Sequence, residues 1–232
     1  MEEKTAMSKS NKINHRFSES PCWYFARKDL FDSIVKNKHF ITGKILDVGC
    51  GSKPYKEMFE TTEYIGLEYD CEQSRKNPKA DFFYDGKHFP FENNSFDSVL
   101  STQVLEHVPN PHEVLAEIVR VLNPGGYLML SVPFAQEEHE SPYDFYRFSP
   151  YAIQDMFNKA GLEIIEYKRL TCGVKAVISI ITFYIYRVAR WKIANLLSTF
   201  FNALGIVLYK IFKKEGNIYI NNFIIAQKKG GD

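Results

Sequence analysis

The run Asp47-Val48-Gly49-Cys50-Gly51-Ser52 sets a carboxylate before two glycines spaced by one residue. Glycine carries no Cβ and tolerates left-handed φ, so a strand ending in this way turns tightly and leaves bare backbone for a ligand. A second acid, Glu68, closes another apolar run about 20 residues past the glycine turn, the spacing at which an acid meets a ribose in nucleotide-binding sheets. Asp85, with Gly86 beside it, closes a third run. A different set of groups lies in Glu137-Glu138-His139-Glu140-Ser141-Pro142-Tyr143-Asp144-Phe145-Tyr146-Arg147-Phe148-Ser149. Imidazole titrates near neutrality, so His139 is the first candidate for a proton acceptor, with Asp144 and His107 as alternatives. Arg147 suits either an anionic ligand or neutralisation of Asp144.

The elements that must position these residues read as alternating strands and helices. Strands are expected at 44–48, 64–68, 81–84, 96–101, 127–132, 162–170 and 219–227, and helices at 23–35, 55–60, 112–122 and from Pro150 to Gly161. In the helix at 112–122, Val114, Leu115, Ile118, Val119 and Leu122 follow the helical period. Asn123-Pro124-Gly125-Gly126 is read as the turn that stops it. Such alternation builds a mostly parallel sheet with helices on both faces, an α/β doubly wound fold. A ligand then binds at the carboxyl edge of the strands, where the glycine turn, Glu68, Asp85 and the loop after strand five all fall.

Residues 172–216 differ from the rest. Two apolar blocks, Ala176 to Tyr186 and Ile193 to Tyr209, stand among Lys175, Arg187, Arg190, Lys192, Lys210, Lys213 and Lys214. Neither reaches the roughly 20 uninterrupted apolar residues of a clean membrane span. Asn195, Ser198, Thr199, Asn202 and Gly205 share one narrow helical face and leave a wide apolar one. The pattern suits a helix packed on the domain, or one lying in a membrane interface with lysines toward the head groups.

The ordered series Asp47-Val48-Gly49-Cys50-Gly51-Ser52, Glu68, Asp85, Pro90-Phe91, Ser95-Phe96-Asp97-Ser98-Val99, Leu105-Glu106-His107-Val108 and Val121-Leu122-Asn123-Pro124-Gly125-Gly126 resembles the class I S-adenosylmethionine-dependent methyltransferases, in particular the methyltransferase type 11 group, over roughly residues 40–170. The resemblance implies a Rossmann-like seven-stranded sheet whose last strand is antiparallel, and S-adenosylmethionine as cofactor. It implies that Asp47, Gly49 and Gly51 seat the methionine part, that Glu68 accepts the ribose hydroxyls, that Asp85 with Gly86 meets the adenine, and that Gln103 lines the methionine end. Asp97 is expected to shape the turn into strand four. The topology would make 172–216 a helical cap inserted between strands six and seven, dividing the chain into a leader and helix at 1–42, the domain proper at 43–171 and 217–229, and the cap.

Pro54 stands where a GxGxxG signature would place its third glycine, which disfavours a nicotinamide enzyme. The YxxxK pair that hydride transfer would want occurs only at Tyr24 and Lys28, ahead of the first strand. A net charge of +1, from 29 basic and 28 acidic residues, gives no general polyanion-binding surface, so nucleic acid is not the expected partner. Cys22, Cys50, Cys71 and Cys172 lack ligand-like spacing, so no metal centre and no disulfide framework is expected, and a cytoplasmic setting, with peripheral membrane contact through 172–216, fits. Residues 1–17 read as a loose polar leader. The expected activity is methyl transfer to an oxygen of a sugar, glycan or small metabolite. The alternatives are nitrogen or carbon methylation on the same fold, or a cofactor-binding subunit that docks a partner without turnover. The oligomeric state stays open.

Overall fold

The computed structural model describes residues 20–76, 78–212 and 216–230. The leader expected at 1–17 lies outside the described residues, as do Lys213 and Lys214. After a single 3-10 turn at Pro21–Trp23 the elements run α1 (Tyr24–Asn37), β1 (Gly43–Val48), β2 (Thr61–Tyr69), β3 (Phe82–Tyr84), β4 (Phe96–Thr102), α2 (Pro111–Val121), β5 (Leu122–Pro133), α3 (Pro150–Ala160), β6 (Leu162–Cys172), α4 (Val174–Val188), α5 (Trp191–Ile211) and β7 (Tyr219–Lys228). The sheet order is β3-β2-β1-β4-β5-β7-β6. Pairs β1/β2, β1/β4, β2/β3 and β4/β5 are parallel, and the last strand is antiparallel. The strand order reverses between β1 and β4, which sets the switch point of a doubly wound sheet beside the glycine turn.

Two expected elements take another form. The helix expected at 55–60 is one 3-10 turn, Lys56–Met58. Left-handed φ at Gly49, Gly51 and Lys53 spends the chain between β1 and β2 on tight turns, leaving no length for a helix. The Pro124-Gly125-Gly126 turn is absorbed into β5 as an irregularity. Phe96 faces Leu122 but Ser98 already faces Tyr127, so the partner strand carries extra residues there, accommodated by Gly125 at φ +79.

The described chain divides into two compact units. The first comprises Ser33–Phe134, Glu138–Lys168 and the strand residues from Asn222. Its core is built where buried-strand residues Leu46, Val48, Leu67, Val99 and Leu130 meet the apolar stripes of α2 (Val114, Leu115, Ile118, Val121) and α3 (Ile153, Phe157). α3 starts on Ser149, whose Oγ accepts from the Ala152 amide, and ends on Gly161 in the left-handed region, as helix caps require.

The second unit comprises the described residues up to Asp32, Ala135–Glu137 and Arg169–Asn221. Its two helices, α4 and α5, enter and leave at one point, since the Gly173 amide donates to the Ile218 carbonyl at 2.8 Å. The Lys175 ammonium pairs with Asp29 of α1 at 2.8 Å, and Thr171 Oγ1 donates to the Phe25 carbonyl.

Candidate active site

The cofactor-type residues fall on the carboxyl ends of β1, β2 and β3. Gly49 has φ +67 and its amide donates to the Leu67 carbonyl at 2.8 Å. A Cβ there would run into Val104, so glycine is required on two counts. Gly51, at φ +48, is exposed, and a Cβ there would meet nothing within 4 Å. Open space over bare backbone is what a ligand needs. Glu68 reaches back to this turn, its Oε1 accepting from the Gly51 amide at 2.6 Å. Burial raises its pKa while that bond opposes the rise. A carboxylate already bent over the turn has a second oxygen for ligand hydroxyls.

Asp47 is buried, and its Oδ2 accepts from the Tyr64 hydroxyl at 2.7 Å. Desolvation lifts its pKa to about 7, against that bond. Asp47 therefore meets any ligand from beneath the turn rather than across open solvent. Asp85 is exposed at the end of β3 and accepts from the amides of Lys87 and His88, both at 2.8 Å, which lower its pKa. Gly86 follows at φ +91. Gln103 takes φ +56 at the end of β4, with its amide on the Ser131 carbonyl at 2.9 Å and its Nε2 on Ser131 Oγ at 3.2 Å. Asp97 sits away from this edge and ties the Lys44 amide of β1 to the Asn123 side chain of β5, bonds to the neighbouring strands rather than to the turn it was expected to shape.

The acceptor-type residues come together after β4 and β5. The amides of Phe145 and Tyr146 donate to the Glu106 carbonyl, and the Tyr146 hydroxyl donates to the Pro109 carbonyl. The far end of the loop is held by Asn222 Nδ2, which donates to the Phe148 carbonyl at 2.9 Å while its Oδ1 accepts from Tyr167. Thus clamped, the loop brings the His139 and His107 rings into an edge contact at 4.7 Å. His107 Nδ1 lies 2.6 Å from the Tyr143 carbonyl. A carbonyl only accepts, so Nδ1 carries the proton and the neutral ring presents a bare Nε2. That nitrogen faces Glu106 Oε1 at 4.0 Å and Glu140 Oε2 at 3.9 Å.

Asp144 is otherwise engaged. Arg147 binds both its oxygens, at 2.6 and 2.8 Å, and the His139 amide donates to Oδ2 at 2.9 Å. Chiefly through Arg147, its pKa falls to about 2. A carboxylate so acidic is a poor proton acceptor, and Asp144 is better suited to positioning His139 and the loop. The same pair answers the choice left for Arg147: it neutralises Asp144. Of the loop aromatics, Tyr143, Phe145 and Tyr146 are exposed and Phe148 packs in the core.

Glu106 carries a role that sequence reasoning did not assign. It is fully buried, neither carboxylate oxygen has a hydrogen-bond partner among the described residues, and desolvation pushes its pKa to about 8. Burial therefore favours its protonated form. Glu106, His107 and His139 each place a ligand-type atom within 4.8 Å of the others, a set able to hold a metal ion, although Arg147 Nη2 stands 3.5 Å from His139 Nδ1 and opposes a cation there.

Residues 46–130 match the family described as "Methyltransferase domain". That stretch is similar to the class I, S-adenosylmethionine-dependent methyltransferases. The chain is 29% identical over 166 residues to a sterol 24-C-methyltransferase of Schizosaccharomyces pombe, covering 60% of this chain and 44% of that one. It is 35% identical over 101 residues to the phthiotriol/phenolphthiotriol dimycocerosates methyltransferase 1 of Mycobacterium ulcerans, covering 38% and 37%. The chain thus spans under half the length of the curated relatives it matches. Among solved structures, the cyclase SpnF superposes with a TM-score of 0.57 at 20% identity over 87% of this chain and 81% of that one. That likeness concerns the fold, and one fold hosts several chemistries. The matched stretch ends before the loop 138–149, so His139, Asp144 and Arg147 lie outside it while Glu106 and His107 lie within it. The signal for Glu106 was in the sequence, an acid beside a histidine just past a buried strand. Asn222 gave none, since a polar residue inside an apolar strand announces only that some partner exists.

Proposed function

We propose that the chain transfers the methyl group of S-adenosylmethionine to an oxygen of a sugar, glycan or small metabolite, with residues 43–171 and 217–229 as the transferring domain and the cytoplasm as its setting. The observation that carries the reading is the row of acids on adjacent parallel strand ends, Asp47, Glu68 and Asp85, around the open backbone of Gly51. Glu68 would hold the ribose, Asp85 and Gly86 the adenine, and Asp47, Gly49, Gly51 and Gln103 the amino-acid end. When bound, this cofactor supplies a methyl group on a sulfonium whose leaving group is already good. The chain's own task is then alignment, plus removal of a proton where the acceptor is a hydroxyl.

His107 Nε2 is the group best prepared for that proton, because Tyr143 fixes the tautomer. His139 lies beside it, held by Asp144 and Arg147, as a second candidate. Glu106 is buried beside His107, and the desolvation that raises its pKa disfavours a negative charge there. The scattered spacing of Cys22, Cys50, Cys71 and Cys172, which follows no disulfide or ligand pattern, supports the reducing setting. The named relatives are a sterol 24-C-methyltransferase and a phthiotriol/phenolphthiotriol dimycocerosates methyltransferase, which favours an apolar or lipid-borne acceptor as the second reading within methyl transfer.

Calorimetry with S-adenosylmethionine and S-adenosylhomocysteine tests the cofactor site, and absence of heat with both would sink the proposal. Transfer of radiolabelled methyl into fractionated cell extract, lipid-linked glycans included, tests the acceptor. Tight cofactor binding with no labelled product in any fraction would favour a docking subunit.

A further inference from the structure

We infer that α4 and α5 form an inverted helical hairpin that seats the protein on an anionic lipid surface. The inference concerns the second unit alone and stands whether or not the chain transfers methyl groups.

The inversion is visible residue by residue. The buried positions of α5 are Ala194, Ser198, Asn202 and Gly205, a small and polar stripe at helical spacing. Those of α4 are Ala176, Ser179 and Thr182 together with Ile178 and Phe183, so the inversion is complete on α5 and partial on α4. The stripe is used. Asn202 Nδ2 donates to the Pro21 carbonyl at 2.6 Å, Thr182 Oγ1 donates to the Cys22 carbonyl at 3.0 Å, and a Cβ on Gly205 would press on the Phe25 ring at 3.0 Å. These close contacts fix which face turns inward.

The apolar face is therefore the outer one. On α5, Ile193, Leu196, Phe200, Leu204, Val207 and Ile211 recur every three or four residues, with Leu196 71% and Phe200 61% exposed. On α4, Val177, Ile180, Tyr184 and Val188 make a second stripe. Scattered exposed leucines need no explanation, but two continuous stripes on neighbouring helices mark an interaction surface.

Charge selects the occupant. Between Tyr167 and Lys214 the sequence has no Asp or Glu; of its cations Lys168, Lys175 and Arg187 pair with Glu166, Asp29 and Glu137, while Arg190, Lys192 and Lys210 add exposed positive charge along the helices. Arg187, Arg190 and Lys192 gather at the junction of the helices beside exposed Tyr184, Tyr186 and Trp191. Basic ends, interfacial aromatics and an apolar middle suit a helix lying among head groups and upper acyl chains. A protein partner with an apolar groove would meet the same greasy faces, but the one-signed flanks match a surface of anionic head groups.

Length decides how the hairpin sits. α5 has 21 residues, about 31 Å, and is long and apolar enough to cross a membrane by length and composition. α4 has 15, about 22 Å, too short for a core of about 30 Å. Because the Gly173 amide binds the Ile218 carbonyl, a chain that crossed on one helix would have to return on the other. The hairpin lies in one leaflet and does not span.

Flotation of the full chain with phosphatidylcholine vesicles, with and without phosphatidylglycerol, tests this. The expected result is flotation with the phosphatidylglycerol vesicles, at least tenfold reduced in L196E/F200E and reduced by salt or by R190E/K192E. Both double variants change exposed residues, and an unchanged thermal midpoint confirms their fold. Three results would overturn the inference: no flotation on anionic vesicles, flotation unaffected by L196E/F200E, or sedimentation as a dimer that L196E/F200E dissociates without any vesicle binding.

Discussion

A carboxyl group in a dry interior is costly when ionised, and both Glu106, without a hydrogen-bond partner among the described residues, and Asp47, with the Tyr64 hydroxyl on one oxygen, bear that cost. Their pKa values rise on folding, so the native state holds protons that the unfolded chain has released. Stability from this source is complete below about pH 4 and falls as pH rises through the window up to about 7 for Asp47 and about 8 for Glu106. Each group contributes a slope of about 1.4 kcal/mol per pH unit inside its window. Glu106→Gln, neutral at every pH, is expected to flatten the upper part of that decline, and denaturant unfolding at pH 6 and 8.5 measures it. Identical slopes for wild type and variant would show that Glu106 ionises freely. Asp144 works in the opposite sense. Its pKa is depressed by Arg147, so its contribution is present above the usual carboxylate value and is lost as pH falls toward 2. For the cofactor, Glu68→Ala should weaken S-adenosylmethionine by about 1.5–3 kcal/mol for each charged hydrogen bond lost, read by calorimetry. These positions were legible as acids at strand ends. The burial that sets their proton affinity was not, because it depends on what the rest of the chain lays over them.

Element boundaries followed from pattern wherever burial was one-sided. The stripe Val114, Leu115, Ile118 fixed α2, and runs such as Ile45-Leu46 fixed the central strands. Pattern failed where backbone conformation outranked it, at the helix expected over 55–60 and at the turn absorbed into β5. The acceptor loop has no period at all, and its form comes from particular bonds to Glu106, Pro109, Pro133 and Asn222. Arg147→Ala should therefore lower methyl transfer far more than cofactor affinity, since it releases Asp144 and with it His139. Equal losses in the two measurements would place the loop under the cofactor as well. At the helix that follows, Ser149→Ala removes a cap and should cost about 1 kcal/mol in a denaturant titration without altering cofactor binding.

At the scale of the whole chain, two kinds of sequence order coexist. The first unit obeys the usual partition, apolar residues in and charged residues out, and its sheet was readable for that reason. The second reverses the partition, in part on α4 and completely on α5, where a narrow polar face and a wide apolar one left the inward side undecided until Ser198, Asn202 and Gly205 were seen buried. Small and polar side chains permit close approach and local hydrogen bonds, so a helix pair can pack well through its less greasy side.

The clasp between Gly173 and Ile218 brings the two ends of the helical segment to one point, while Pro21, Cys22, Phe25 and Asp29 hold its inner face. Genetic exchange at that point could trade one insertion for another while β6 and β7 kept their places in the sheet. Chimeras joined at these two residues would be the natural way to ask what address each insertion encodes.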